Sequence, residues 1–566
     1  MESSAMRVHH LLRIARPAAF ASVLALVSAP GFAQSPFRID LSTVNAAVSQ
    51  AASQSQETVR RLSMDDAVRS ALEQNLGIRI QRIDPQIQDV GVMQAKSFWA
   101  PNLSTSLSRQ GQTQQPTSAL SGGATSILNT SFGTSAGVSQ SLPWGSNYSA
   151  TWNNSRATTN NQFTNFPIQL NSTLNLTFSQ PLARNFSIDQ IRQQVENSKK
   201  TRDLSDITLQ SVITQTTRGV RDAYWDLVYA ISNYKAQQQS LELSQQFLKD
   251  NQKRVEIGTL APIDIVQAQA EVASNEQGVI VADAAIKTAQ DNLRTLILDP
   301  GTPGFWDIVF DPTDAPAFAD QAVDVDAAVR NALDKRTDIL SAKNSLEQSD
   351  INLKYYRNQM LPDVNAQVTY NATAAGGQQL SNLDFTNLNA ARSVQSDIGF
   401  GSVLGNVLTS VYPTWTFGVA IGYPLGQNTA HANMARSRLQ YEQAQAQMKS
   451  LEMNVIAQVR GAARNVVTFQ KSVQSAKASR ELQEKKLEAE EKKLAAGMSQ
   501  SFFVFQAQRD LAVARVAEIQ AIANYNKALV DFQAVQEVPL GGGGIGITTA
   551  GSGAVQAGGS AIVRAQ

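Results

Sequence analysis

The chain has 566 residues, 42% of them hydrophobic and 7% aromatic, and a formal net charge of +1, a balance that points to no polyanionic partner and sets nucleic-acid binding aside. It contains no cysteine, which excludes disulfide frameworks, thiolate metal sites and a lipid carried on an N-terminal cysteine. Two of its three histidines lie within the first ten residues, so a histidine base or a multi-histidine metal centre has only His431 to work with.

The first 33 residues combine Arg7, Arg13 and Arg16 with an apolar core from Ala18 to Val27 and small residues at Gly31 and Ala33. That is the build of a secretory signal peptide, and it places the mature chain outside the cytoplasm. An Ala/Gln/Ser-rich stretch, 34–61, reads as a loose linker, and no later apolar run reaches the ~18 residues that a membrane helix needs. If the chain enters a membrane, it must do so as a closed β-barrel.

From Leu62 onward the chain is written twice. "LSMDDAVRSALE" from Leu62 returns as "VDVDAAVRNALD" from Val323, a shift of 261 that also carries Pro101 to Pro362. The shift falls to 243 between "SQPLARN" (from Ser179) and "GYPLGQN" (from Gly422), and to 239 between the glycine turns at Gly258 and Gly497. The reading is an internally duplicated α+β chain with helix-strand-strand-helix-helix units at 62–297 and 321–538. A Pro/Gly/Asp-rich connector, 298–320, separates them, and a Gly-rich disordered tail, 539–566, follows.

In the first unit, 97–187 holds no acidic residue and only three arginines. Strands are predicted at 102–109 and 172–180, where Leu174, Leu176 and Phe178 alternate with Asn175 and Thr177. Their repeats are predicted at 363–371 and 415–423, the latter alternating Trp415, Phe417, Val419 and Ile421 with small residues. A run of nine is close to the ~9–11 residues of a tilted membrane-crossing strand, although a soluble sandwich strand alternates in the same way. Phe98 and Trp99 before one strand, and Tyr355 and Tyr356 before its repeat, suit an aromatic belt at a membrane interface and suit ordinary packing equally well. The piece 136–152 has no counterpart in the second unit, and both an extended loop and extra strands remain open for it.

Long helices are predicted at 187–257 and 429–496, returning through 262–297 and 501–537. The first has no proline and a single glycine, Gly219, with Ile213, Val220, Leu227, Tyr234, Leu241, Leu248 and Val255 recurring every seven residues. The same ladder at a shift of 239 has two charged rungs, Glu452 and Arg480. At ~1.5 Å per residue such helices reach roughly 100 Å, several times a ~30 Å hydrocarbon core.

With these pieces assembled, from "LSMDDAVRSALEQN" and "AVRNALDKRTDIL" through "QPL" and "YPL" to the two glycine turns followed by "QAQ", the chain resembles the TolC family of outer-membrane efflux ducts over 62–532. The resemblance implies an α+β membrane protein of the cell outer membrane that projects into the periplasm. It implies a homotrimer in which four strands per chain build a twelve-stranded β-barrel, continued by a long periplasmic α-helical coiled-coil barrel. Expected partners are outer-membrane lipid, a periplasmic adaptor (membrane fusion) protein and, through it, an inner-membrane pump of a tripartite efflux or type I secretion system. No nucleic acid and no cofactor are expected.

The same resemblance places Gly258, Thr259, Leu260, Gly497, Met498 and Ser499 at the periplasmic tips, in contact with the adaptor. In many relatives the second tip carries acidic residues that ring the narrow entrance, and the matching positions here are Phe503 and Gln506, with Asp264 kept on the first tip. An apolar constriction that gates by dewetting is one reading of Phe503, and packing between helices is the other. No nucleophile, base or metal constellation can be assembled, so catalysis is not expected. A passive porin and a periplasmic coiled-coil scaffold remain as alternatives.

Overall fold

The computed structural model describes residues 58–537 apart from 117–124, 260, 315–317, 319–321, 384–390, 424 and 427. The segments read from sequence as a leader and a tail lie outside the described residues, as does most of the N-terminal linker. The linker's last residues are not loose: β1 (Thr58–Leu62) pairs in parallel with β6 (Ile308–Pro312), which lies within the stretch read as a connector. Burial of Leu62 and Phe310 beneath this two-stranded sheet holds both segments in place.

Three helices follow β1: α1 (Met64–Gln74), α2 (Leu76–Gln81) and α3 (Asp84–Lys96). Ser63 caps α1 by accepting a hydrogen bond from the Asp66 amide, and Asp65 and Asp66 favour its positive end. A 3-10 turn at Ser97–Trp99 then leads into four strands, β2 (Asn102–Gln114), β3 (Ile127–Ser141), β4 (Asn147–Thr159) and β5 (Ile168–Pro181). Next come α4 (Gln190–Glu256) and α5 (Ile263–Ile297), of 67 and 35 residues.

Beyond β6 lie α6 (Val325–Lys335) and α7 (Thr337–Gln359), then β7 (Asp363–Leu380), β8 (Val394–Ile398), α8 (Phe400–Leu408) and β9 (Pro413–Gly422). The described chain ends with α9 (Thr429–Ala495) and α10 (Ser501–Val535), again of 67 and 35 residues. The matched helices α1 and α6 bury matched positions, Ala67 and Ala71 in one, Ala328 and Ala332 in the other.

All seven rungs of the ladder on α4 and all seven on α9 are buried or half-buried, so the seven-residue spacing marks the packed seam of each long helix. The charged rung Arg480 is accommodated by ion pairs to Glu484 and Glu518. Where α4 meets α1, α5 and the β1–β6 pair, Tyr224, Leu227 and Leu293 form the largest core, and the Tyr224 hydroxyl donates to Asp314 at 2.8 Å. Smaller cores join α6 to α9 and α9 to α10. Among the described residues, no helix is long and apolar enough to cross a membrane.

Among the described residues, seven strands form one sheet in the order β2-β3-β4-β5-β7, with β8 and β9 both paired to β7, and every pairing is antiparallel. This corrects the expectation of four strands per chain: the segment unique to the first unit is a full hairpin, β3–β4, standing between β2 and β5. The strands also outrun their predicted bounds, β7 extending to Leu380. Between β8 and β9 the chain leaves the sheet as α8, whose Val403 and Val407 pack on Ala372 and Ala374 of β7.

Candidate functional site

Two features stand apart from the helical core: the paired turns at the far ends of the long helices, and the two faces of the sheet. Each turn is the same motif. Gly258 and Gly497 take φ of +76° and +72°, the left-handed conformation that closes a helix and that a side chain resists. In the first, the Gly258 amide donates to Val255 O (2.9 Å) and Thr259 to Arg254 O (2.8 Å). In the second, Gly497 donates to Leu494 O (3.1 Å) and Met498 to Lys493 O (2.9 Å).

The side chains that follow differ. The Thr259 hydroxyl adds a second bond to Arg254 O, while the Ser499 hydroxyl reaches Glu490 at 2.9 Å. The Lys493 ammonium, with that hydroxyl, holds the Glu490 carboxyl below the usual range. Met498 lies exposed at the end of its turn, and Leu260 is outside the described residues. Asp264 sits half-buried in the first turn of α5, where a carboxylate complements the helix dipole.

The phenylalanines after the second turn divide cleanly. Phe505 is 6% exposed and meets Phe247 of α4 edge to face, with ring centroids 4.4 Å apart. Phe502 and Phe503 are 55% and 48% exposed, their rings meeting edge to face at 5.6 Å between centroids. Gln506, one turn beyond Phe503, is exposed on the same side of α10. Below them Arg509 pairs with Glu271 of α5 at 2.5 Å, and Lys486 with Asp510 at 2.8 Å, so α10 is tied to both neighbouring helices close to the turn. Sequence reasoning named Phe503 and Gln506; it did not find Phe247 or the Arg509–Glu271 pair, because partners on different helices leave no local spacing.

The aromatic pairs flank the sheet at its helical end. Phe98 is exposed in the 3-10 turn before β2, and the Trp99 carbonyl accepts from Gln140 of β3 at 2.7 Å. Tyr355 and Tyr356 are half-buried on the last turns of α7, their rings 5.2 Å apart.

One face of the sheet is largely apolar and the other polar, the apolar one carrying Arg109 and Arg156 on either side of Phe132. Leu103, Val138, Ala150, Leu176, Tyr370 and Trp415 stand opposite one another in a single row across β2, β3, β4, β5, β7 and β9. The next row, pointing to the other side, is Ser104, Gly137, Thr151, Asn175, Asn371 and Thr414. Beneath α8 a polar group interrupts the apolar face: Ser172 is buried, accepting from Trp152 Nε1 (2.9 Å) and donating to Asn154 (2.6 Å).

One titratable group on the helices is poised. The Asp222 carboxyl of α4 is pushed up to about 6, chiefly by burial and then by nearby Asp531, against the opposing pull of Lys527 and Arg218. Its Oδ1 has no hydrogen-bond partner.

The family model described as outer membrane efflux protein matches residues 145–297 and 328–535. No relative among the curated proteins matches the chain. Among solved structures, a membrane protein from Pseudomonas aeruginosa superposes with a TM-score of 0.59 at 15% identity, covering 84% of this chain and 93% of that one. The outer membrane protein VceC from Vibrio cholerae gives 0.58 at 13% identity (84% and 95% covered). The MtrE outer membrane channel of Neisseria gonorrhoeae, in its open state, gives 0.55 at 17% identity (84% and 88% covered). At these identities the superpositions establish a shared fold.

Proposed function

The chain belongs to the outer membrane efflux protein family, and on that premise we propose that it is the outer-membrane duct of a tripartite efflux or type I secretion system. The observation that carries this reading is the joining, in one chain, of a sheet with one apolar face and 67-residue helices that no bilayer could contain. A sheet with free edges cannot rest in lipid, because unpaired backbone groups there cost several kcal/mol each, so copies must close it into a barrel. With three copies around an axis, the apolar face meets lipid, the hydroxyl- and amide-rich face lines a lumen, and the helix pairs extend the lumen into the periplasm.

In this reading the two glycine turns form the periplasmic end. Gly258, Thr259, Leu260, Gly497, Met498 and Ser499 meet an adaptor, which connects the duct to an inner-membrane pump. Phe503 and Gln506, exposed on one side of α10, face the axis and narrow the entrance, with Asp264 beside them on the other hairpin. A ring of three phenylalanines resists wetting and closes to ions without attracting cations. The Arg509–Glu271 pair holds α10 against α5 in the narrowed arrangement.

The test uses the absence of native cysteine. A thiol introduced by Met498→Cys, carrying a photoactivatable cross-linker, is irradiated in intact cells and the membranes are then separated. The duct reading expects the protein in the outer-membrane fraction, resistant to carbonate and joined to a periplasmic adaptor. Release by carbonate without detergent contradicts it in favour of a soluble scaffold, and an outer-membrane protein that captures no adaptor contradicts it in favour of a passive porin.

A further inference from the structure

We propose that three copies of this chain close an eighteen-stranded barrel, each contributing six strand positions, with the β3–β4 hairpin as part of the wall. The inference rests on the duct reading and departs from the twelve strands that the family resemblance implies. β8 and β9 share one position beside β7, so the sheet has six positions: β2, β3, β4, β5, β7 and the β8/β9 line. Six positions in each of three copies give eighteen.

The hairpin has the properties of wall and not of loop. β3 and β4 run 15 and 13 residues, more than the ~9–11 of a tilted membrane strand. They are paired without a break along β2 on one side and β5 on the other, so β2 and β5 do not touch. Their side chains continue the same two faces: Phe132, Val138, Ala150 and Trp152 fall on the apolar side, Ser135, Ser149 and Asn153 on the polar side.

The lower end of the hairpin is fixed to the helical part. In its turn, Leu142 donates to Ser146 O at 2.7 Å, and Gly145 takes φ +94°. A Cβ on Gly145 would come within 2.6 Å of Arg192 Nη2 and 2.9 Å of Asn185 O. Arg192, in the first turn of α4, also donates to Phe186 O, Ser187 O and Asn185 O. The β3–β4 turn is thereby seated where α4 begins, at the same end as the turn from Trp99 into β2, and the hairpin traverses the whole height of the sheet.

The occupant of the two free edges is a second copy of the chain. β2 and β9 are the outer strands, and every residue of both is exposed. Because β2 and β9 hold the first and sixth positions and five antiparallel pairings link them, they run in opposite directions, and the β9 of one copy meets the β2 of the next as an antiparallel neighbour. Closure therefore preserves an all-antiparallel wall with an even strand count. Barrel diameter grows about linearly with strand number, so this wall is roughly half again as wide as one of twelve and falls in the range that leaves an open aqueous channel. The mouth of the duct is then not where passage is limited, and its lining is of hydroxyls and amides.

Two measurements test the strand count. Electron cryomicroscopy of the detergent-purified full chain is expected to show a trimer with eighteen strands in cross-section. A trimeric wall of twelve strands with 127–159 folded off it overturns the inference and leaves the duct standing; particles without any closed barrel overturn both. The second measurement is chemical. Ser106, Ser135, Asn153 and Thr173 share one row, so Ser106 and Thr173 lie three strand spacings apart, roughly 14 Å. That exceeds the ~7 Å between Cα atoms beyond which a disulfide does not form. The double variant Ser106→Cys/Thr173→Cys is expected to keep two free thiols within each chain under mild oxidant, while the adjacent pair Ser106→Cys/Ser135→Cys becomes oxidised. Efficient intrachain oxidation of the first pair places β2 beside β5 and overturns the inference.

Discussion

Truncating Phe503 and Phe505 separately should have opposite consequences, although the two residues are two apart on one helix. Phe505 is almost fully buried against Phe247, and replacing a buried phenylalanine by alanine costs about 3–5 kcal/mol, including the loss of an edge-to-face pair. Phe503 is about half exposed, so its truncation forfeits no more than about half of the ~1.5–3 kcal/mol of a buried apolar side chain. Far-ultraviolet circular dichroism during heating in detergent, paired with single-channel recording in planar bilayers, reads both effects. Phe503→Ala is expected to melt close to wild type and to conduct clearly more. Phe505→Ala is expected to melt several degrees lower, because α10 loses its anchor on α4. Equal destabilisation by both variants would refute the assignment of Phe503 to the axis, since it would mean that the ring is packed in the assembly. So would higher conductance from Phe505→Ala alone.

At the second turn, Gly497→Ala should cost about 1–2 kcal/mol, the penalty of a left-handed conformation for a residue with a Cβ, and should raise protease cleavage near the tip; an unchanged melting temperature and cleavage pattern would contradict the motif. The pair Arg509–Glu271 is largely exposed on the arginine side, so Arg509→Ala should change stability by no more than about 1 kcal/mol while increasing conductance by loosening α10 from α5. A fall in conductance would argue that the pair does not restrain the entrance. The Asp222 carboxyl, raised to about 6 in the fold, makes the protein most stable when it is protonated. That contribution is complete below the ordinary carboxylate range near 4 and is lost as pH rises through about 6. Asp222→Asn should therefore melt above wild type at pH 8, by an amount on the order of 1–3 kcal/mol, and match it near pH 4. Thermal melts across that range check the sign.

The long helices were legible because their signal is redundant: no proline, a seven-residue ladder and a second copy at a fixed shift. The predicted ends at 257 and 496 fall within a residue of the observed Glu256 and Ala495, since glycine turns are local chemistry. The central parts of β2, β5, β7 and β9 were legible for a related reason, in that alternating apolar residues recur in both units. The β3–β4 hairpin was not, because small residues such as Ser131, Gly133, Ser135 and Gly137 weaken its alternation and the second unit offers no counterpart. Helix α8 left even less trace. Its "FGSVLGNVL" carries two glycines and two β-branched valines, and its helical form is supported by docking Val403 and Val407 on the small side chains of Ala372 and Ala374. The parallel β1–β6 pair joins segments about 250 residues apart, which no window along the chain can register. At the tips the glycines and Phe503 were legible, but the division between buried Phe505 and exposed Phe503 depends on α4, a different helix.

Copies of this chain that form a duct must enclose a continuous aqueous path. Wild-type protein purified in detergent and added to a planar lipid bilayer should insert and produce discrete conductance steps, which are expected to be small if the proposed aromatic entrance closes one end. A protein that inserts no channels over a wide range of concentrations and voltages would contradict the account and return the sheet and its helices to the reading of an envelope scaffold.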